Sequence, residues 1–145
     1  MHIVIVSFYY PPDLSAGSFR TGALVQSLLD TLGPDDTVRV ITTAPNRYAT
    51  LKAPAPAKET HPRLTIERIA LSEHQSGLKD QVKAFIGFAL EVLRRVGSER
   101  ADVVYATSSR LGTATLGALV ARRTRARLHL DIRDLFVENM SDMLK

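Results

Sequence analysis

The chain reads as an α/β fold on an open, mostly parallel sheet. Three observations carry that reading: five short β-branched runs recur, helical patterns lie between most of them, and turn residues mark the junctions. "HIVIV" (2–6) opens the series as a buried strand. A helical pattern follows over 18–32 and stops at Gly33-Pro34. "VRVITT" (38–43) and "LTIERIAL" (64–71) are the second and third strands. Between them, "APNRYATLKAPAPAKETHPR" (44–63) is rich in Pro and Ala and has no period, which predicts a surface loop. The second helix covers 78–97 and closes at Gly97-Ser98; "DVVYAT" (102–107), a helix over 112–124 and "RLHLDI" (127–132) complete the series. Strands that alternate with helices pair in parallel through right-handed crossovers. The last residues, "LFVENMSDMLK", read as the opening turns of another helix, so the chain is expected to be a fragment.

At 145 residues, 45% of them apolar, the chain is long enough for one domain with a buried core. The absence of cysteine excludes a disulfide framework and a thiolate metal site. With a start that lacks a basic leader and cleavage site, it predicts a cytoplasmic protein. No apolar run reaches the ~20 residues that span a bilayer. The net charge is +4, and the excess is local. From Arg94 to Arg127, eight arginines stand against only Glu99 and Asp102, a pattern that suits an anionic neighbour (phosphate or an acidic membrane) and equally a solvated helix face.

In an open parallel sheet a ligand sits beyond the carboxyl ends of the strands, so the segments to inspect are 7–20, 44–50, 72–77, 107–112 and 131–138. The first loop has no G-x-G-x-x-G and the second strand ends in "ITTAP" without an acidic residue for a ribose hydroxyl, so a dinucleotide-binding dehydrogenase is not supported. The phosphate-loop and nucleophile-elbow motifs are absent as well. His2, His61, His74 and His129 stand at no metal-ligand spacing and read as structural or exposed.

Three of those segments carry chemistry. In "SFYYPPDLSAGSFR" (7–20), Pro11 and Pro12 impose an extended path, after which Gly17 and Ser18 open a helix whose unpaired N–H groups and dipole suit an anion, with Arg20 one turn in. A plain turn with a capping serine accounts for the same residues. Tyr9 and Tyr10 either pack beneath the loop or line a cleft. After the fourth strand, Ser108 and Ser109 with Thr107 are hydroxyls at a second helix entry, as ligands or as caps. At the fifth strand's carboxyl end, Asp131, Arg133 and Asp134 fall within four residues. An ionised carboxylate there accepts hydroxyl hydrogen bonds or pins strand to helix.

These segments, "PPDLSAGSFR", "YATSS" and "LDIRDLFVEN", together resemble the N-terminal half of retaining, metal-independent GT-B glycosyltransferases. The likeness is to glycosyltransferase family four enzymes of bacterial capsule, O-antigen and exopolysaccharide assembly. The resemblance implies a Rossmann-like, doubly wound sheet in a three-layer αβα arrangement, one half of a GT-B architecture and the half that mainly binds the acceptor. The donor-binding C-terminal domain would be absent from 1–145. It further implies a nucleotide-sugar donor, a glycan or lipid-linked acceptor, no metal or other cofactor and no nucleic acid. Gly17, Ser18 and Arg20 would approach the donor phosphate or the acceptor. Asp131 and Asp134 are the candidate catalytic residues and would orient sugar hydroxyls; Ser108, Ser109 and Arg133 would bind substrate. A strong base is not required, since the departing diphosphate takes the acceptor proton on the same face.

Helix 78–97 has apolar residues at 78, 82, 85, 86, 89, 90, 93 and 96, flanked by Lys79, Lys83, Arg94 and Arg95. Core packing explains the stripe most simply, and a peripheral membrane contact fits the same pattern. Two rival functions share the sequence features: a GT-B sugar-nucleotide epimerase, and a non-catalytic α/β module that binds a phosphate or protein partner.

Overall fold

The computed structural model describes residues 1–45, 54–71, 78–107 and 111–132. Six strands and three helices follow one another as β1 (His2–Val6), α1 (Ala16–Thr31), β2 (Thr37–Thr43), β3 (Lys58–Thr60), β4 (Leu64–Ile69), α2 (Leu78–Val96), β5 (Val103–Thr107), α3 (Leu111–Thr124) and β6 (Arg127–Asp131). The sheet order is β3-β4-β2-β1-β5-β6. Every pairing is parallel except β3 with β4.

Strand alternation divides the core into two layers. Ile3 and Ile5 of β1, Val38 and Val40 of β2 and Ile66 of β4 pack with Val25, Leu24 and Leu28 of α1. Val4 and Val6 point to the other face, where Phe88 and Val92 of α2 and Leu116 and Val120 of α3 cover Val104 and Ala106 of β5. The chain is therefore an αβα sandwich of Rossmann-like, doubly wound type. The winding reverses between β1, whose crossover α1 leads to β2, and β5, whose crossover α3 leads to β6.

β3 lies in the stretch whose composition predicts a loop. It is only three residues, Lys-Glu-Thr, too short and polar to leave a strand signal. β4 supplies the missing context: its edge pairs Lys58 with Glu67 and Thr60 with Thr65, and the Arg68 N–H donates to the Ala57 carbonyl at 2.8 Å.

Helix ends also depart from their sequence signals. α1 starts two residues before Ser18, on Ser15, whose hydroxyl accepts the Ser18 N–H at 3.1 Å. Its carboxyl end has no basic residue; Arg63 of the β3–β4 turn instead donates to the carbonyls of Leu29, Leu32 and Gly33. α2 does end on a left-handed glycine, Gly97 at φ 55°. α3 ends on Arg125 in the same conformation (φ 58°), and the Ala126 N–H closes the turn on the Ala121 carbonyl, a Schellman arrangement without its glycine.

In α2 the core takes Ala84, Phe88, Val92 and Val96, with Phe85, Ala89 and Leu93 alongside. Packing on the sheet thus explains only part of the apolar pattern. Val82, Ile86 and Leu90 form a second stripe that stays 51%, 52% and 64% exposed. No helix among the described residues is long and apolar enough to cross a membrane.

Candidate functional site

The first loop is a buried, cross-braced segment. Ser7, Phe8, Tyr9, Tyr10 and Asp13 are all buried. Phe8 stacks on Phe85 and meets Phe88 and Tyr9 edge to face, with centroids 5.1–6.3 Å apart. Tyr10 turns to the opposite layer, beside α1, where burial pushes its hydroxyl pKa up. Both tyrosines therefore pack beneath the loop. The Ser7 hydroxyl donates to the Tyr9 carbonyl at 2.7 Å, the Thr43 hydroxyl to the Phe8 carbonyl at 2.6 Å, and the Arg68 guanidinium to the Pro11 carbonyl at 2.9 Å. The Pro11-Pro12 bond is cis.

This bracing fixes the tip of α1 over the carboxyl end of β1. Ser15 already holds the Ser18 N–H, so the N–H groups of Ala16 and Gly17 are the donors at the tip. Ser18 lies on the sheet-facing side with Thr21 and Val25, 0% exposed, and its hydroxyl oxygen has no hydrogen-bond partner among the described residues. Arg20 points outward from the same first turn. Its guanidinium reaches past β5 to Asp131 at the end of β6, with Nη2 to Oδ1 at 3.0 Å. The side chain of Asp131 is 10% exposed and that of Arg20 62%. Asp131 pairs in register with Thr107 of β5, and Ala106 pairs with Val6 of β1. The ends of β1, β5 and β6 thus lie side by side where the winding reverses, and Gly17, Ser18, Arg20 and Asp131 gather around that crevice. Ser108, Ser109, Arg133 and Asp134 lie outside the described residues.

Two residues at this end carry no single-residue signal. Asp13 is a buried carboxylate two residues before the α1 cap, and the Ser15 N–H donates to its carbonyl at 3.2 Å. The signal that could have found it is its place in "PPD", directly ahead of a helix start. Thr113, in the first turn of α3, is fully buried and its hydroxyl has no partner among the described residues, the counterpart on the opposite face of Ser18. Further along the α1 face of β5 and β6, Tyr105 and His129 stack in parallel at 5.3 Å.

A cavity of about 380 Å³ lies at the opposite end of the sheet, lined among others by His2, Arg39, Lys58, Glu67, Arg95 and Glu99. Its arginines are committed to structure. Arg39 donates to Glu67 at 3.0 Å, to Glu99 at 2.5 Å and to the Arg95 carbonyl at 3.1 Å, and Arg95 pairs with Glu91 and Glu67. Among the described residues no three His, Asp or Glu side chains are grouped as a metal-ligand set.

The fold is that of a Rossmann-like α/β domain, and the edge where the winding reverses is its candidate site. No protein-family model and no curated protein matches the chain. Among solved structures it is similar to the C-terminal domain of a hydrogenase from Pyrococcus furiosus, with a TM-score of 0.54 and 12% identity over 90% of each chain. At that identity the likeness is one of fold.

Proposed function

We propose that the chain is the acceptor-side domain of a retaining glycosyltransferase. The protein would move a sugar from a nucleotide-sugar to a glycan or lipid-linked acceptor in bacterial surface polysaccharide synthesis. The observation that carries this reading is the Arg20–Asp131 contact: it joins two of the three resembling segments at one crevice, across 111 positions of sequence. In this role the Gly17 amide and the first turn of α1 orient one substrate, while Asp131 accepts from sugar hydroxyls, so that catalysis here is positioning rather than proton abstraction. The partner domain that holds the donor is not part of residues 1–145, and these residues alone turn nothing over. The exposed Val82, Ile86 and Leu90 stripe, with Lys83 beside it, suits peripheral contact with the membrane that carries a lipid-linked acceptor.

The test uses the whole protein that contains this chain, a panel of nucleotide-sugars and a polyprenyl-linked acceptor, with the anomeric configuration of the product read by NMR. Transfer with retention is expected, with kcat/KM lowered about 100-fold by Asp131→Ala, the scale of a lost positioning contact. Conversion of the nucleotide-sugar to its epimer would favour the epimerase instead. Absence of any turnover would leave a binding module.

A further inference from the structure

We infer that the cavity at the amino ends of β1, β2 and β4 is a second ligand site, which takes a phosphate group, free or carried by a small molecule, through Lys58. Its charge balance selects an anion. Arg39, Lys58, Arg63 and Arg95 line it against only Glu67 and Glu99, four cations to two carboxylates. Counting in Glu91 and Arg94, which pair with each other while Glu91 also holds Arg95, leaves the excess at two. Both lining carboxylates are already answered. Arg39 donates to one oxygen of Glu67 at 3.0 Å and Arg95 to the other at 3.4 Å, while a further nitrogen of Arg39 donates to Glu99. A cation entering the cavity therefore finds no unmatched carboxylate, whereas an anion finds an unmatched cation.

That cation is Lys58. The β3–β4 register sets it opposite Glu67, yet both oxygens of that carboxylate are held by arginines. Among the described residues the exposed ammonium makes no hydrogen bond or ion pair. The arginines around it are fixed by their own partners, Arg63 by the carbonyls of Leu32 and Gly33 and Arg95 by Glu91. Lys58 can thus turn to a ligand on its flexible stem without breaking a bond. His2 is an independent sign that the cavity wants a polar guest. Its Nδ1 bonds the Thr37 hydroxyl at 2.8 Å. Its Nε2 is buried and has no hydrogen-bond partner among the described residues, with Glu99 at 3.5 Å out of hydrogen-bond geometry. When the Thr37 hydroxyl donates to Nδ1, Nε2 carries the ring proton and is a donor without an acceptor. Such a group is costly to bury unless a ligand or a bound water accepts from it. The volume, about 380 Å³, is in the range of small-molecule sites. A dianion gains more than a monoanion from the unpaired ammonium, since the attraction scales with the product of the charges. Nothing at this site depends on glycosyl transfer at the crevice, which lies at the other end of the strands.

The test is an NMR titration of the 145-residue chain, with inorganic phosphate, glucose 6-phosphate and acetate as probes. Both phosphates are expected to shift the Lys58 and Thr65 amides saturably, with acetate at least about tenfold weaker. Tighter binding of glucose 6-phosphate assigns the site to a phosphorylated metabolite, and equal binding to the free ion. Lys58→Gln should weaken phosphate binding about tenfold or more, the effect of one charge-assisted hydrogen bond, and Lys58→Arg should restore it. Both changes fall at an exposed position of an edge strand, so the fold is expected to survive them. Arg122→Gln, which removes an exposed charge outside the cavity, should leave binding unchanged. No saturable shift at Lys58 with either phosphate, acetate binding as tight as phosphate, affinity untouched by Lys58→Gln, or an equal loss in Arg122→Gln overturns the site. Each of these results reads the same whether or not the whole protein transfers sugar.

Discussion

Glu91 shows how a single residue's environment sets a measurable property. It accepts from Arg94 at 2.7 Å and Arg95 at 2.8 Å, and those two guanidinium groups, Arg94 first, hold its carboxyl down at about 2 against an ordinary 4.5. A carboxyl whose pKa is lower when folded contributes stability that is fully present above its unfolded value and is lost as pH falls through the folded one. Urea unfolding at about pH 5 and about pH 2.5 should therefore show a larger loss of stability for the wild type than for Glu91→Gln. An equal loss in both would remove the pair from the acid response. At this scale the sequence singled out Gly17, Ser18, Arg20 and Asp131 as residues at strand ends, in separate segments. It did not reveal that Ser15 is the cap or that the Ser18 hydroxyl is buried, because both follow from where the helix begins, and Ser15 and Ser18 are equally good caps on paper.

Between elements, packing rather than propensity sets the tolerances. α3 lies so close to β5 that a Cβ added at Gly117 would stand 2.4 Å from the Ala106 Cβ, a distance that no small adjustment relieves. Gly117→Val is expected to destabilise the fold by about 3 kcal/mol, measured by urea denaturation, even though it removes a glycine from a helix interior. A stabilised variant would mean that α3 can slide on the sheet. Among the described residues, five of the six strands and the three helices were legible from periodicity and turn residues, with ends displaced by at most one or two positions. β3 was not, since a three-residue polar segment becomes a strand only when another strand's edge is there to pair with it.

Across the whole molecule, Arg68 ties the crevice to the far edge of the sheet. It is buried at the end of β4 and donates to the Pro11 carbonyl at 2.9 Å, to the Pro56 carbonyl at 3.1 Å and to Glu59 of β3. One side chain thus holds both the loop that leads into α1 and the segment that forms the edge hairpin. Arg68→Leu should cost about 2–4 kcal/mol, since it leaves acceptors without their donors. It should also raise amide hydrogen exchange in residues 7–15 and 57–60 well above that of β1. Unchanged exchange in the first loop would show that Ser7 and Thr43 suffice to brace it.

What the sequence determined by itself was local: the kind of each main element, the parallel α/β class and the strand ends worth inspecting, because hydrophobic period and turn chemistry act over a few residues. Tertiary structure alone decided the strand order, the division of α2 between core and solvent, and the meeting of Arg20 with Asp131. That ion pair joins positions 111 residues apart, and nothing near either one specifies it. It exists because β1, β5 and β6 become neighbours when the winding reverses.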